Sequence, residues 1–320
     1  MPRRRPLPPW TWSLAAVLML LAVNAAITPA MFESGALLDI LNRASIIVLA
    51  ATGMTLVVAT GGVDLSVGAV VAVAAAACAV TLDAGHPGAV AIAVAIAAAL
   101  GAGAFNGLLV AAFSVQPIVA TLVLMVAGRG VAQLITSGQI ITFDDPVLSF
   151  IDGGTLAGIP CPALLAGLAI VLVWLGVRRT PIGLYLEAVG DNPSAARLAG
   201  VRTRTVTALA YILSGLCAGV AGLIAAADIN AADANTAGLY LELDAILAVV
   251  LGGTALAGGR FTLVGAALGA VLIQLLSSTL LYHDVNPNAT LVVKGVIVVA
   301  ICLMLSERVR SVRFNRKRPA

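Results

Sequence analysis

Ten apolar stretches follow one another along the chain, near residues 12–31, 44–61, 67–83, 88–113, 117–136, 160–177, 205–227, 243–258, 262–282 and 290–306, with short polar interruptions between them. A helix crosses the hydrocarbon core of a bilayer with about 17–25 apolar residues, so most of these stretches have the length of a span. Hydrophobic residues make up 61% of the 320 residues and charged residues 10%, and the mean hydropathy is +1.07. No single soluble core hides that much apolar surface, so lipid is the main solvent of the chain. The reading is an all-α, polytopic membrane protein with about ten transmembrane helices, or eight to ten when the glycine-broken stretches near 61–68 and 252–259 are counted as half-spans or re-entrant pieces.

The first stretch, "TWSLAAVLMLLAVNAAITPAMF", follows the basic "MPRRRPLPPW" and resembles a signal peptide. It is long enough to span and many spans follow, so it is read as a retained helix with Met1 in the cytosol. With ten alternating spans, the inside segments hold Arg3, Arg4, Arg5, Arg178, Arg179, Arg197, Arg202, Arg204, Arg260, Arg308, Arg310, Arg313, Arg316, Lys317 and Arg318, which is 15 of the 18 Lys and Arg residues. Only Arg43 falls in an outside loop, and Arg129 and Lys294 lie within spans. The positive-inside rule then places both termini in the cytoplasm. The net charge of +3 is dispersed in short clusters that act as topology signals, which argues against nucleic acid as a partner. The loops leave no room for a second folded domain, so residues 1–320 form one transmembrane domain, with the longest loops at 137–159 outside and 178–204 inside.

The reactive side chains are few. Cys78, Cys161, Cys217 and Cys302 fall in or beside apolar runs without paired or metal-ligand spacing, and read as small hydrophobes. His86 and His283 lie in loops apart from other ligands, so no metal site is supported. No phosphate-cradling GxxxxGK[ST] loop and no G-x-S-x-G nucleophile context occurs. A carrier or pore is therefore preferred to an enzyme, and no cofactor is expected in this chain.

Polar residues inside spans need a reason, because an ionised side chain near the bilayer centre costs about 2.5–3.5 kcal/mol on insertion scales. Thr121, Arg129, Gln133 and Thr136 form a stripe on one helical face, read for Arg129 and Gln133 as a hydrated path or its gate. Asn106 and Gln274 either line that path or join helices by hydrogen bonds. Lys294 is placed to snorkel from the outer end of its span. "GAFNG" (103–107), "GLCAG" (215–219) and "GAALG" (265–269) have the GxxxG spacing that lets helices approach closely.

Within "TGGVDLSVGA" (60–69), Gly61, Gly62 and Gly68 permit a backbone break beside Asp64, and "LAVVLGGTALAGGRFTLVGA" from Leu247 repeats the same plan. Asp64 either caps a broken helix through nearby N–H groups or meets the transported solute. The inside loop opens on Pro181, continues as a helix through "LYLEAV", turns at "GDNP" and ends in a short helix "SAARLAG" that Gly200 terminates with a left-handed cap. Too polar for lipid, this helix-turn-helix is either a plain linker or a contact surface for a soluble partner.

"TGGVDLSVGAVVAVAA" and "YLEAVGDNPSAARLAGV" resemble hallmark segments of the inner-membrane permeases of bacterial monosaccharide ABC importers, and the resemblance runs from the first span to the last. "ILNRASIIVLAATGMTLVVATGG", "PIVATLVLMVAGRGVAQLITSGQIITF" and "AADINAADANTAGLYLELDAILAVVLGG" are similar in particular to the galactofuranose-importing members. The resemblance implies a half-transporter of the bacterial inner membrane that pairs with a second permease, as a homodimer or with a related chain. A periplasmic or extracellular sugar-binding protein would deliver the monosaccharide, and cytoplasmic ATPase subunits would bind ATP and Mg and drive the cycle. It implies that the segment containing Glu187, Ala188, Gly190, Asn192, Ala195, Ala196 and Gly200 docks the ATPase. "EAV" at 187–189 departs from the "EAA" pattern of other importers. Galactofuranose is the sugar so implied, with pentoses and galactopyranose open. The rival is a self-sufficient ion-coupled carrier or channel using Asp64 as an ion ligand.

Overall fold

A computed structural model describes residues 8, 10–33, 35–286, 289–296 and 299. Arg3, Arg4, Arg5, Cys302 and the basic residues from Arg308 to Arg318 lie outside the described residues, as does most of the expected last span. The described chain is mostly helical: α1 Trp10–Ile27, a 3-10 turn Pro29–Phe32, α2 Ala36–Ala59, α3 Val67–Asp83, α4 Gly88–Ala111, α5 Pro117–Ile135, α6 Pro146–Gly153, α7 Cys161–Arg179, α8 Ile182–Asp191, α9 Pro193–Leu198, α10 Thr203–Ile229, α11 Leu241–Leu251 and α12 Leu263–Tyr282. Residues 289–296 are again helical. Two antiparallel strand pairs stand beside the helices: Ile141–Thr142 with Ala231–Ala232, and Thr155–Leu156 with Ile159–Pro160.

Among the described residues, seven helices are long and apolar enough to cross a membrane: α1, α2, α4, α5, α7, α10 and α12. The protein is thus a multi-pass, mostly helical membrane protein. Helix α3, with 17 residues, fills the expected stretch 67–83, whereas α11, with 11 residues, ends at Leu251, well short of the expected 258. Helix α2 begins at Ala36 rather than near 44, so Arg43 belongs to its first turns and not to an outside loop. The expected loop 137–159 contains α6, capped by Asp145, whose Oδ1 accepts from the amides of Val147 and Leu148.

Helix α10 lies at the centre, packed on α2, α3 and α4; α12 joins α2 to α11 and α1, while α5 leans on α3 and α7 on α2. Lipid offers apolar side chains no hydrophobic drive to associate, so helices must gain contact area by close approach. The GxxxG groups do this work. A Cβ on Gly103 would meet the Tyr211 carbonyl oxygen, one on Gly215 the Ala99 carbonyl oxygen, and one on Gly107 the backbone of Ala208, so the first two groups face each other across α4 and α10. The third group seats α12 on α11, where Gly265 and Gly269 lie against Gly252 and Ala248.

This packing predicts a contrast within one helix. Gly103→Val should lower the unfolding midpoint of the detergent-solubilised chain, costing about 1–3 kcal/mol by overpacking. Gly101→Val, where a Cβ has open space, should leave the midpoint unchanged; equal losses would contradict the packing described.

Candidate functional site

The chain between α2 and α3 turns back through the interior. Gly61, with φ +81°, stands at the left-handed position that ends α2; its amide donates to Val58 and that of Gly62 to Val57, a Schellman closure that satisfies the last carbonyls of the helix. Asp64 follows and is only 3% exposed. Its Oδ1 accepts from the Ser66 amide at 3.0 Å and the Ser66 hydroxyl at 2.6 Å, and its Oδ2 accepts from the Ser214 hydroxyl at 2.8 Å. Ser66 Oγ in turn accepts from Asn106 Nδ2 at 2.8 Å. One carboxylate thereby ties the start of α3 to α4 and α10. Ser214 lies about 16 Å along α10, a helix about 40 Å long at 1.5 Å per residue, so the Asp64 carboxyl reaches well into the bundle from the break.

The second break has the same local form. Gly253, with φ +85°, ends α11; its amide donates to Val250 and that of Thr254 to Val249, the same closure as at Gly61 and Gly62. The repeat legible in the sequence is therefore a repeat of backbone conformation. Where the first copy has Asp64, the second has apolar residues, and Thr254 Oγ1 instead accepts from the Thr262 amide while Thr262 Oγ1 caps α12 at Gly265. The two breaks also meet: the Gly259 amide donates to the Ala59 carbonyl at 3.0 Å. Gly258, with φ +92°, rests on the backbone of Gly61, and Gly190 of α8 rests on both the Ala59 carbonyl and the Gly259 amide, places where a Cβ would overlap.

Helix α5 divides its polar stripe between the first break and the turn 233–237. Thr121 Oγ1 donates to the Val63 carbonyl at 3.2 Å. Arg129 donates from Nη1 to the carbonyls of Ala234, at 3.1 Å, and Ala237, and Gln133 Nε2 donates to Asn235 Oδ1 at 2.9 Å. The turn 233–237 is further closed by Asp233, whose carboxyl is held below its ordinary range by the Thr236 hydroxyl and the Asn235 amide. Beyond it the buried Glu242 at the start of α11 faces Gly68 of α3, and Asp244 binds Lys294 at 2.9 Å. Lys294 is thus an ion-pair partner of α11.

In the segment 178–204, α8 extends through Gly190 and Asp191, so the expected "GDNP" turn narrows to Asn192. Asn192 Oδ1 caps α9 by accepting from the Ser194 and Ala195 amides, each at 3.0 Å. Gly200, with φ +87°, closes α9 with a left-handed cap as expected. Ala196 is buried with Leu186, Val189, Val206 and Tyr211. Asn192, Ala195 and Gly200 are exposed, Glu187 and Ala188 half-buried. Leu184, Tyr185 and Leu198 are exposed apolar residues on the same segment, Leu198 by 91%.

The structure brings Asp64 and Asn106 together through Ser66, and Arg129 and Gln133 together on the turn 233–237. Gln274 joins neither group: its Nε2 donates to Ser278 Oγ of its own helix. Sequence reasoning missed Glu242 and Asp244, although an acidic residue beside an apolar run is itself a signal. It also missed Ser66 and Ser214, hydroxyls in small-residue runs that carry no signal until a carboxylate is found beside them.

Residues 36–302 match a family described as the branched-chain amino acid transport system / permease component. The chain is 49% identical to the galactofuranose transporter permease protein of Escherichia coli strain K12, over 92% of this chain and 89% of that protein. It is 38% identical to the fructose import permease protein of Bifidobacterium longum strain NCC 2705, over 96% and 90% of the two chains. With the ribose import permease protein of Escherichia coli strain K12 it shares 36% identity, over 91% and 92%. No solved structure matches the chain.

The Asp64 network predicts unequal effects of two substitutions. Asp64→Ala leaves three donors without an acceptor and should destabilise the detergent-solubilised chain by at least about 2 kcal/mol. Asp64→Asn keeps an oxygen for Ser66 and offers an amide to Ser214, and should cost less than about 1 kcal/mol. Thermal unfolding of the two variants measures this, and equal losses would contradict the network.

Proposed function

The chain belongs to the permease family of bacterial ABC sugar importers, and from that premise we propose that it is the membrane subunit of an importer carrying a monosaccharide, galactofuranose in the first place, across the bacterial inner membrane. It works as one transmembrane domain of about ten spans with both termini in the cytoplasm. A second permease subunit, the same chain or a related one, completes the path. A sugar-binding protein docks outside on 137–159 and 228–242. Separate cytoplasmic ATPase subunits supply the energy, so this chain is non-catalytic and carries no cofactor of its own.

The ATPase docks on 178–204, where Glu187, Ala188, Gly190, Asn192, Ala195, Ala196 and Gly200 present the contact segment. The observation that carries this reading is the seat of Gly190 against the Ala59 carbonyl and the Gly259 amide. A displacement of α8 then acts on both breaks at once, on α2 and α3 through Ala59 and on α11 and α12 through Gly259. Close-packed interiors transmit such shifts because they do not deform continuously. Exposed Leu184, Tyr185 and Leu198 supply the apolar contact that a soluble partner would cover.

In the cycle, Arg129 and Gln133 act as a gate by holding the turn 233–237 beside α5, and its release opens the path outward. Asp64 and Asn106 hold the first break closed, and Gln274 belongs to the helix that follows the second. ATP-driven closure of the ATPases biases the two accessible states by differential contact, as any ligand must. The self-sufficient carrier has weaker support, because each oxygen of Asp64 is already engaged by protein donors.

Charge reversal tests the coupling segment. Glu187→Lys should leave insertion intact and cut uptake of radiolabelled galactofuranose at least about tenfold, equivalent to about 1.4 kcal/mol, while the assembled complex still hydrolyses ATP. Unchanged uptake with normal ATPase stimulation contradicts the assignment. The chain reconstituted alone in liposomes should accumulate no sugar under a proton or sodium gradient; accumulation would establish the rival.

A further inference from the structure

Helix α7 packs on α2, α6 and α8, and a cleft of about 480 Å³ separates it from α10. The cleft is lined by aliphatic side chains along both helices, from Leu165 to Val177 on α7 and from Val206 to Val220 on α10. Its floor is α2, where Leu49 and Leu56 are buried, and α8 closes its cytoplasm-assigned end with Ile182 and Leu186. From Leu165 to Val177 it runs about 18 Å at 1.5 Å per residue, a little more than half of a hydrocarbon core about 30 Å thick.

A lipid tail of that length fits the cleft. A single hydrocarbon chain, about 5 Å across at van der Waals contact, takes about 350 Å³. Charge then selects the head group. Arg178 and Arg179 follow Val177 at the end of the cleft, and both are exposed. Among the described residues, neither forms an ion pair. Arg178 lines the adjoining cavity, which shares Val177 with the cleft.

We propose that this cleft is a binding site for one anionic phospholipid of the inner leaflet, its acyl chain between α7 and α10 and its phosphate on Arg178 and Arg179. The tail covers Ile182 and Leu186, so the lipid supports the underside of α8. A guanidinium suits the phosphate by forked, charge-assisted hydrogen bonds.

The site is tested by native mass spectrometry of the full chain, delipidated in detergent and then offered dioleoyl phosphatidylglycerol or dioleoyl phosphatidylcholine. One phosphatidylglycerol per chain should be retained, with phosphatidylcholine retained at least about tenfold less. The Arg178→Gln/Arg179→Gln variant should lose that preference at an unchanged unfolding midpoint. Gly176→Trp, which places bulk where a Cβ has open space, should abolish retention of both lipids. Equal retention of the two lipids, or retention that both variants leave intact, overturns the proposal. So does a disulfide formed between two copies through Leu168→Cys in proteoliposomes, because a second subunit would then fill the cleft.

Discussion

Hydrocarbon offers no hydrogen bonds, so any interruption of a helix inside the bundle has to find every backbone partner within the protein. The fold is arranged around two such interruptions. Each closes on itself by the same Schellman cap, at Gly61 and at Gly253, and each then relies on one polar side chain to hold the chain that follows. For the first that side chain is Asp64, bonded to Ser66 and Ser214; for the second it is Thr254, bonded to the Thr262 amide. The central position of α10 follows, because it supplies Ser214 to the first break and the flat glycine face that lets α4 bring Asn106 within reach.

The two copies share a conformation and differ in chemistry, which suits a duplicated frame whose halves carry different loads. The first copy concentrates charge and hydroxyls at its break. The second has Ala255 and Leu256 where the first has Asp64, exposes Arg260 at its far end, and carries its acidic groups at the start of α11, in Glu242 and in the Asp244–Lys294 pair. Both are bound to α8 by backbone contact at glycines. A contact between backbones has no side chain to reorient and absorb a small shift, which makes it a stiff connection between the surface segment and the interior.

Much of this architecture was legible in the chain. Span lengths located every helix from α1 to α12 that crosses or half-crosses the bundle, and the GxxxG groups marked the close approaches of α4 with α10 and of α11 with α12. Gly200 and Asn192 announced the ends of α9 through their backbone and capping preferences. Pairing was harder to see. Arg129 and Gln133 read as a path-lining stripe, yet they bond to the turn 233–237, because a helical face says which residues align and not what lies opposite. Lys294 read as a snorkelling residue because its partner, Asp244, sits 50 positions away in the sequence. Arg43 read as a loop residue because an apolar window ends where charge begins, whereas α2 continues another two turns toward its start.

The fold depends on each interruption closing the helix before it, and amide hydrogen–deuterium exchange of the chain in lipid nanodiscs measures that closure directly. Peptides covering residues 57–62 and 249–254 should exchange far more slowly than an open loop, since the amides of Gly61, Gly62, Gly253 and Thr254 are bonded to carbonyls of the helices they close. Exchange of those two peptides within seconds, at the rate of an open loop, would contradict the account.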